Sequence, residues 1–115
     1  MTLSVQKPGP HEVHYPDPDE RTIGPIKISP RMREVRVDGL LIDLTRMQFD
    51  ILMLLASRAG WVYSRDRIVQ AICGPNHVLC SRAIDVHIVN IRKQLGNAGK
   101  YVQTVRGVGY RLRYE

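Results

Sequence analysis

A chain of 115 residues, 43% apolar and 24% charged, has room for one small globular domain and excludes a second large one. Its longest unbroken apolar run, Ile51 to Ala56, is far short of the roughly 20 residues a membrane span requires, and no apolar leader follows Met1. Seventeen Lys and Arg against eleven Asp and Glu give a net charge of +6, so the expectation is a cytoplasmic protein with a polyanionic partner and no membrane partner.

The charge is unevenly spread. Residues 1–22 hold Lys7 and Arg21 against Glu12, Asp17, Asp19 and Glu20, so the positive excess belongs to residues 23–115. Four of the seven prolines (Pro8, Pro10, Pro16, Pro18) fall in this acidic stretch, which shows no apolar periodicity. It reads as a flexible N-terminal tail or interdomain linker over 1–22, with the folded domain over 23–115. β-rich stretches come next, at 26–29, 34–37 and 40–44, punctuated by Pro30 and the turn pair Asp38-Gly39, and predict a small antiparallel sheet.

Thr45 opens a helix, and Gln48 three residues on completes a capping box before the apolar run beginning at Phe49; Gly60 ends it. Ser64 caps a second helix through about Ile72, with Gly74 and Pro75 as terminators and a polar connector over 73–81. A third helix over about 82–95 places Ile84, Ile88, Ile91 and Leu95 on one inward stripe. Opposite that stripe lie Arg82, Val86, Val89, Asn90 and Lys93, with Ala83 at the edge. These residue types suit a major groove: Arg and Lys for phosphates, an Asn amide for adenine, Val or Ala for the thymine methyl. Two more strands, 101–105 and 110–114, flank Arg106, Gly107, Val108 and Gly109, and form a terminal hairpin with an Arg at its tip. A narrow minor groove attracts such an Arg.

Other chemistries find less support. Gly107-Val108-Gly109 lies between two strands, without the helix a phosphate-cradling loop needs, so its glycines read as turn geometry. Cys73, His77 and Cys80 offer three zinc ligands and no evident fourth; the two cysteines read as thiols, a bridge between them being the alternative. His87, between stripe and groove face, suits a phosphate or an internal hydrogen bond. The carboxylates are scattered and no nucleophile has a base at recognisable spacing, so neither an enzyme nor a metal or other cofactor is expected.

Four segments, LTRMQFDILMLL (44–55), VYSRDRI (62–68), RAIDVHIVNIRKQLG (82–96) and VQTVRGVGYRL (102–112), together resemble the winged-helix effector domain of OmpR/PhoB-type response regulators. The resemblance implies an α+β winged helix-turn-helix with three helices, an N-terminal antiparallel sheet and a C-terminal hairpin wing. It further implies sequence-specific binding of double-stranded DNA in bacterial transcription regulation, as an effector domain lacking its receiver. By family position, base contacts fall on Ala83, Val86 and Asn90. Phosphate contacts fall on Arg82, Val89, Thr104 and Tyr110, joined by Lys93 from its place on the helix, and the minor-groove contact falls on Arg106. The loop Gly74, Pro75, Asn76, His77 and Val78 would face RNA polymerase. Asp85 would form an internal ion pair with Arg65 or Arg92. A monomer in solution would bind direct repeats as a head-to-tail dimer. Val89 and Asn90 depart from the basic residues common at those positions, and Cys73 from a common Trp. The alternative is a winged-helix protein interaction module working through residues 73–81, without specific DNA binding.

Overall fold

The computed structural model describes residues 17–74 and 77–113, and of residues 77–82 the backbone alone. Four short strands, β1 (Arg21–Ile23), β2 (Ile26–Ser29), β3 (Glu34–Val37) and β4 (Leu40–Ile42), form an antiparallel sheet in sequence order. In β2, Ile26 and Ile28 turn to the core while Lys27 faces outward, the two-residue period of a sheet with one covered face. Asp38 (φ 51°) and Gly39 (φ 84°) are both left-handed, as the type I′ hairpin expected of an Asp-Gly pair requires.

β1 departs from expectation. Arg21 and Thr22, placed in the tail by composition, pair with Ile28 and Lys27. The folded part reaches back to Asp17, whose carboxylate accepts hydrogen bonds from the Ser29 hydroxyl (2.6 Å), the Arg31 amide (3.0 Å) and the Asp19 amide (2.8 Å). Burial opposes its ionisation, but these bonds and the Arg31 charge prevail and hold the carboxyl below its usual range. A three-residue strand in a proline-rich, acidic context has no periodicity of its own; its partner across the sheet defines it. The rest of the expected tail, residues 1–16, lies outside the described residues.

Three helices come after the sheet: α1 (Arg46–Ser57), α2 (Arg65–Cys73) and α3 (His77–Leu95). The capping box forms as expected, with the Gln48 amide donating to Thr45 Oγ1 (3.2 Å) and the Thr45 amide to Gln48 Oε1 (3.0 Å). Ser64 caps α2 by accepting from the Arg67 amide at 3.1 Å. Ile51, Leu52 and Leu55 of α1, Ile68 of α2 and Ile84, Ile88, Ile91 and Leu95 of α3 are essentially inaccessible and meet in one core with the sheet's inner face. Arg33 fastens the β2–β3 turn to α1 by an ion pair with Asp50 (2.8 Å) and by stacking 4.3 Å from the Phe49 ring centre.

The connector before α3 is shorter than expected. α3 begins at His77, so residues 77–81 are helical and only 74–76 separate the two helices. The apolar stripe that marks the helix in sequence begins only at Ile84, so its first turns carry no periodic signal. Cys73, the last residue of α2, is disulfide-bonded instead of the expected thiol.

A 3-10 helix over Gly96–Tyr101 leads into the antiparallel hairpin β5 (Val102–Val105) and β6 (Gly109–Leu112). No helix among the described residues is long and apolar enough to cross a membrane.

Candidate nucleic-acid interface

The 3.6-residue repeat divides α3 sharply. Its inward stripe is buried, whereas Val86 is 57% and Val89 48% exposed, with Lys93 exposed and Ala83 and Asn90 half-buried. An exposed β-branched apolar pair is unusual on a helix that already has a full core stripe. The side chain of Arg82 is outside the described residues; its backbone lies in α3.

At about 100° per residue, Val86 and Lys93 mark the centre of the outward face. Ala83 and Asn90 lie to one side of it. Val89 lies to the other, toward Asp85 and Arg92. That second flank faces the hairpin: Arg92 donates through Nε to the Val102 carbonyl (2.9 Å) and through Nη2 to Thr104 Oγ1 (2.8 Å). The Tyr110 hydroxyl donates to Asp85 Oδ1, which also accepts from Arg65 Nε (2.9 Å). Of the two partners offered for Asp85, the structure selects Arg65. Arg92, spaced two helical turns from Asp85 on the same flank, holds the wing instead.

Asp85, Arg65 and Tyr110 therefore join the middle of α3, the start of α2 and strand β6 of the wing. The Tyr110 hydroxyl and then the Arg65 guanidinium hold the Asp85 carboxyl below the usual carboxylate range, against a smaller effect of burial. Burial first, and then Asp85's hydrogen bond and charge, push the Tyr110 phenol above its ordinary value. The Arg65 guanidinium also sits 5.5 Å from the Tyr110 ring centre.

These bonds bear on the family-implied phosphate residues. Tyr110 is only 5% exposed and its hydroxyl proton is committed to Asp85, so donating to a phosphate would require giving up that partner. Thr104 is exposed; its oxygen accepts from Arg92, which leaves its own proton to donate outward. His87 Nδ1 is buried without a hydrogen-bond partner among the described residues.

The wing tip, Arg106, Gly107 and Val108, is exposed. The Val108 amide donates to the Val105 carbonyl (2.9 Å) across a turn in which Gly107 takes φ 78°. Strand β6 of the wing is held by a contact the sequence did not announce. Tyr63, between α1 and α2, exchanges both backbone hydrogen bonds with Tyr110 (2.8 and 2.9 Å), adding a third extended segment beside β6. The one local signal was the small residue at 109, where the Tyr63 backbone passes too close for a Cβ.

Elsewhere, Gly74 ends α2, His77 and Val78 form the start of α3, and Pro75 and Asn76 lie outside the described residues. The Cys73 sulfur, engaged in a disulfide, is not a thiolate for zinc.

A family model described as "Transcriptional regulatory protein, C terminal" matches residues 39–112. The chain belongs to this family. The assignment agrees with the OmpR/PhoB-type response-regulator resemblance and with the observed winged-helix fold. The transcriptional regulatory protein VxrB of Vibrio cholerae is 39% identical over 88 residues, covering 76% of this chain and 35% of VxrB. The transcriptional regulatory protein PrrA of Mycobacterium tuberculosis is 34% identical over 96 residues, covering 82% and 41%. The chain thus spans well under half the length of these curated relatives. Among solved structures, the DNA-binding domain of Klebsiella pneumoniae RstA in complex with the RstA box superposes with a TM-score of 0.74 at 31% identity, covering 84% of this chain and 99% of that one.

Proposed function

We propose that this domain binds double-stranded DNA sequence-specifically in bacterial transcription control, as the effector domain of a response regulator whose receiver lies outside this chain. The observation that carries the reading is the outward face of α3, bearing Val86, Asn90 and Lys93, clamped through Asp85 and Arg92 to an Arg-tipped wing. A helix and a hairpin held in fixed relation present a single surface to adjacent grooves. The RstA domain, in complex with its box, has the same fold and supports the reading by likeness.

In this proposal α3 enters the major groove. Ala83, Val86 and Asn90 meet base edges, and Arg82, Lys93 and Thr104 meet phosphates, with Tyr110 acting mainly to brace Asp85. Arg106 enters the neighbouring minor groove, where A·T-rich narrowing deepens the negative potential. Two copies occupy direct repeats head to tail, and the segment over 74–78 faces RNA polymerase. Each phosphate contact releases counterions, so affinity falls steeply with salt.

Selection of randomised duplexes by the purified chain at physiological salt tests this. Enrichment of a motif repeated at about one helical turn is the expected result. Retention without an enriched motif, or no retention, overturns sequence-specific binding.

A further inference from the structure

Val89 occupies a position where family likeness implies a phosphate contact, but its side chain has no hydrogen-bond donor. Its amide lies deep inside α3, where helical bonding uses it. What Val89 offers is apolar surface, 48% exposed, one turn from Val86 at 57%. Residues three apart on a helix have Cβ atoms roughly 5–6 Å apart, so the two isopropyl groups form one continuous strip. The strip runs from the centre of the outward face toward the wing-facing flank, where Arg92 and Asp85 are already occupied by Thr104, Val102 and Tyr110. Among the described residues, the polar side chains on that flank are thus engaged with the wing.

In the major groove the one apolar feature of a base pair is the thymine C5 methyl. We infer that Val89, together with Val86, reads thymine methyl groups on two neighbouring base pairs, which makes Val89 a specificity residue and not a phosphate contact. The inference rests on the proposed DNA reading of this face. Asn90, on the opposite flank from Val89, is placed for an adenine edge, so the half-site core is A·T-rich by the chemistry of its readers.

The test uses the duplex enriched by the full chain, with each thymine replaced singly by deoxyuridine, which keeps the hydrogen-bonding edge and removes the methyl. For the unmodified chain, two neighbouring replacements should each weaken binding by about three- to fivefold, the effect of one lost buried methyl group. Val89→Ala should erase the penalty at one of these positions and leave the other, and Val86→Ala should do the converse. Equal thermal melting of the variants establishes that both are folded, as expected for exposed helical sites. The inference is overturned if a selected motif shows no deoxyuridine sensitivity. It is equally overturned if Val89→Ala weakens all duplexes alike, the behaviour of a phosphate contact, or leaves both penalties intact. Those results leave specific DNA binding standing, whereas failure to enrich any motif removes both readings together.

Discussion

Replacing Gly109 with Ala isolates the contact that seats the wing. A Cβ at this position would lie on the Tyr63 carbonyl oxygen, 2.7 Å from the carbonyl carbon and 2.8 Å from Ser64 Cα, all backbone atoms with no rotamer to yield. The hairpin must move away from the segment before α2, which breaks the two hydrogen bonds between Tyr63 and Tyr110. At about 1 kcal/mol net each, with a further 1 kcal/mol or more for disturbed packing around the buried Tyr110 ring, the cost is about 3 kcal/mol. For a domain of this size that lowers Tm by more than about 10 °C. The control is Gly107→Ala, at φ 78° with nothing within 4 Å of the new Cβ. It bears only the left-handed backbone penalty, about 1–2 kcal/mol. Urea unfolding followed by circular dichroism measures both. If Gly109→Ala unfolds within about 1 kcal/mol of the parent, or costs no more than Gly107→Ala, backbone proximity to Tyr63 is not what holds the wing rigid.

Asp85→Asn keeps an acceptor for Tyr110 but loses the charge opposite Arg65. Because Asp85 is more than half exposed, solvent screening limits the loss to about 1 kcal/mol at neutral pH. The folded-state pKa of Asp85 is depressed, so its contribution is complete above the unfolded value, about 3.9, and disappears as pH falls through the folded value. The difference in stability between parent and variant should therefore shrink below about pH 4; a constant difference from pH 7 to pH 2 would contradict the assignment. Asn90→Ala should cost about 1–3 kcal/mol at the selected site and relax preference at one base position, read by repeating the selection with the variant. Lys93→Ala should weaken all duplexes by similar factors and reduce the salt slope by about 1, and a sequence-dependent loss would instead make Lys93 a base reader. Arg106→Ala should weaken binding most where the flanking minor groove is A·T-rich; unchanged affinity across flanks at physiological salt would remove the wing from the interface.

Much of the site was legible because it depends on periodicity and on local chemistry. The stripe Ile84, Ile88, Ile91 and Leu95 identifies the inner face of α3 and so, by exclusion, the outer one. The Thr45 and Ser64 caps and the Asp38-Gly39 turn each satisfy backbone groups within a few residues, and each formed as its residue types require. The features that stayed hidden are nonlocal or weakly periodic. Arg21–Ile23 is a strand because β2 lies beside it, and Asp17 belongs to the fold because Ser29 and Arg31 offer it hydrogen bonds from across the sheet. His77–Ser81 is helical although the apolar stripe starts later, and the disulfide at Cys73 has no local pattern that marks it.

Repeat period, capping and side-chain chemistry within a few residues were enough to specify three helices, the terminal hairpin, most of the core and the outward exposure of Val86, Val89 and Lys93. How that helix and the hairpin are joined came from packing. The choice of Arg65 for Asp85, the use of Arg92 to grip Val102 and Thr104, and the Tyr63–Tyr110 pairing all bring together groups far apart along the chain. Such contacts depend on where packing sets one element against another, and no local pattern encodes that distance.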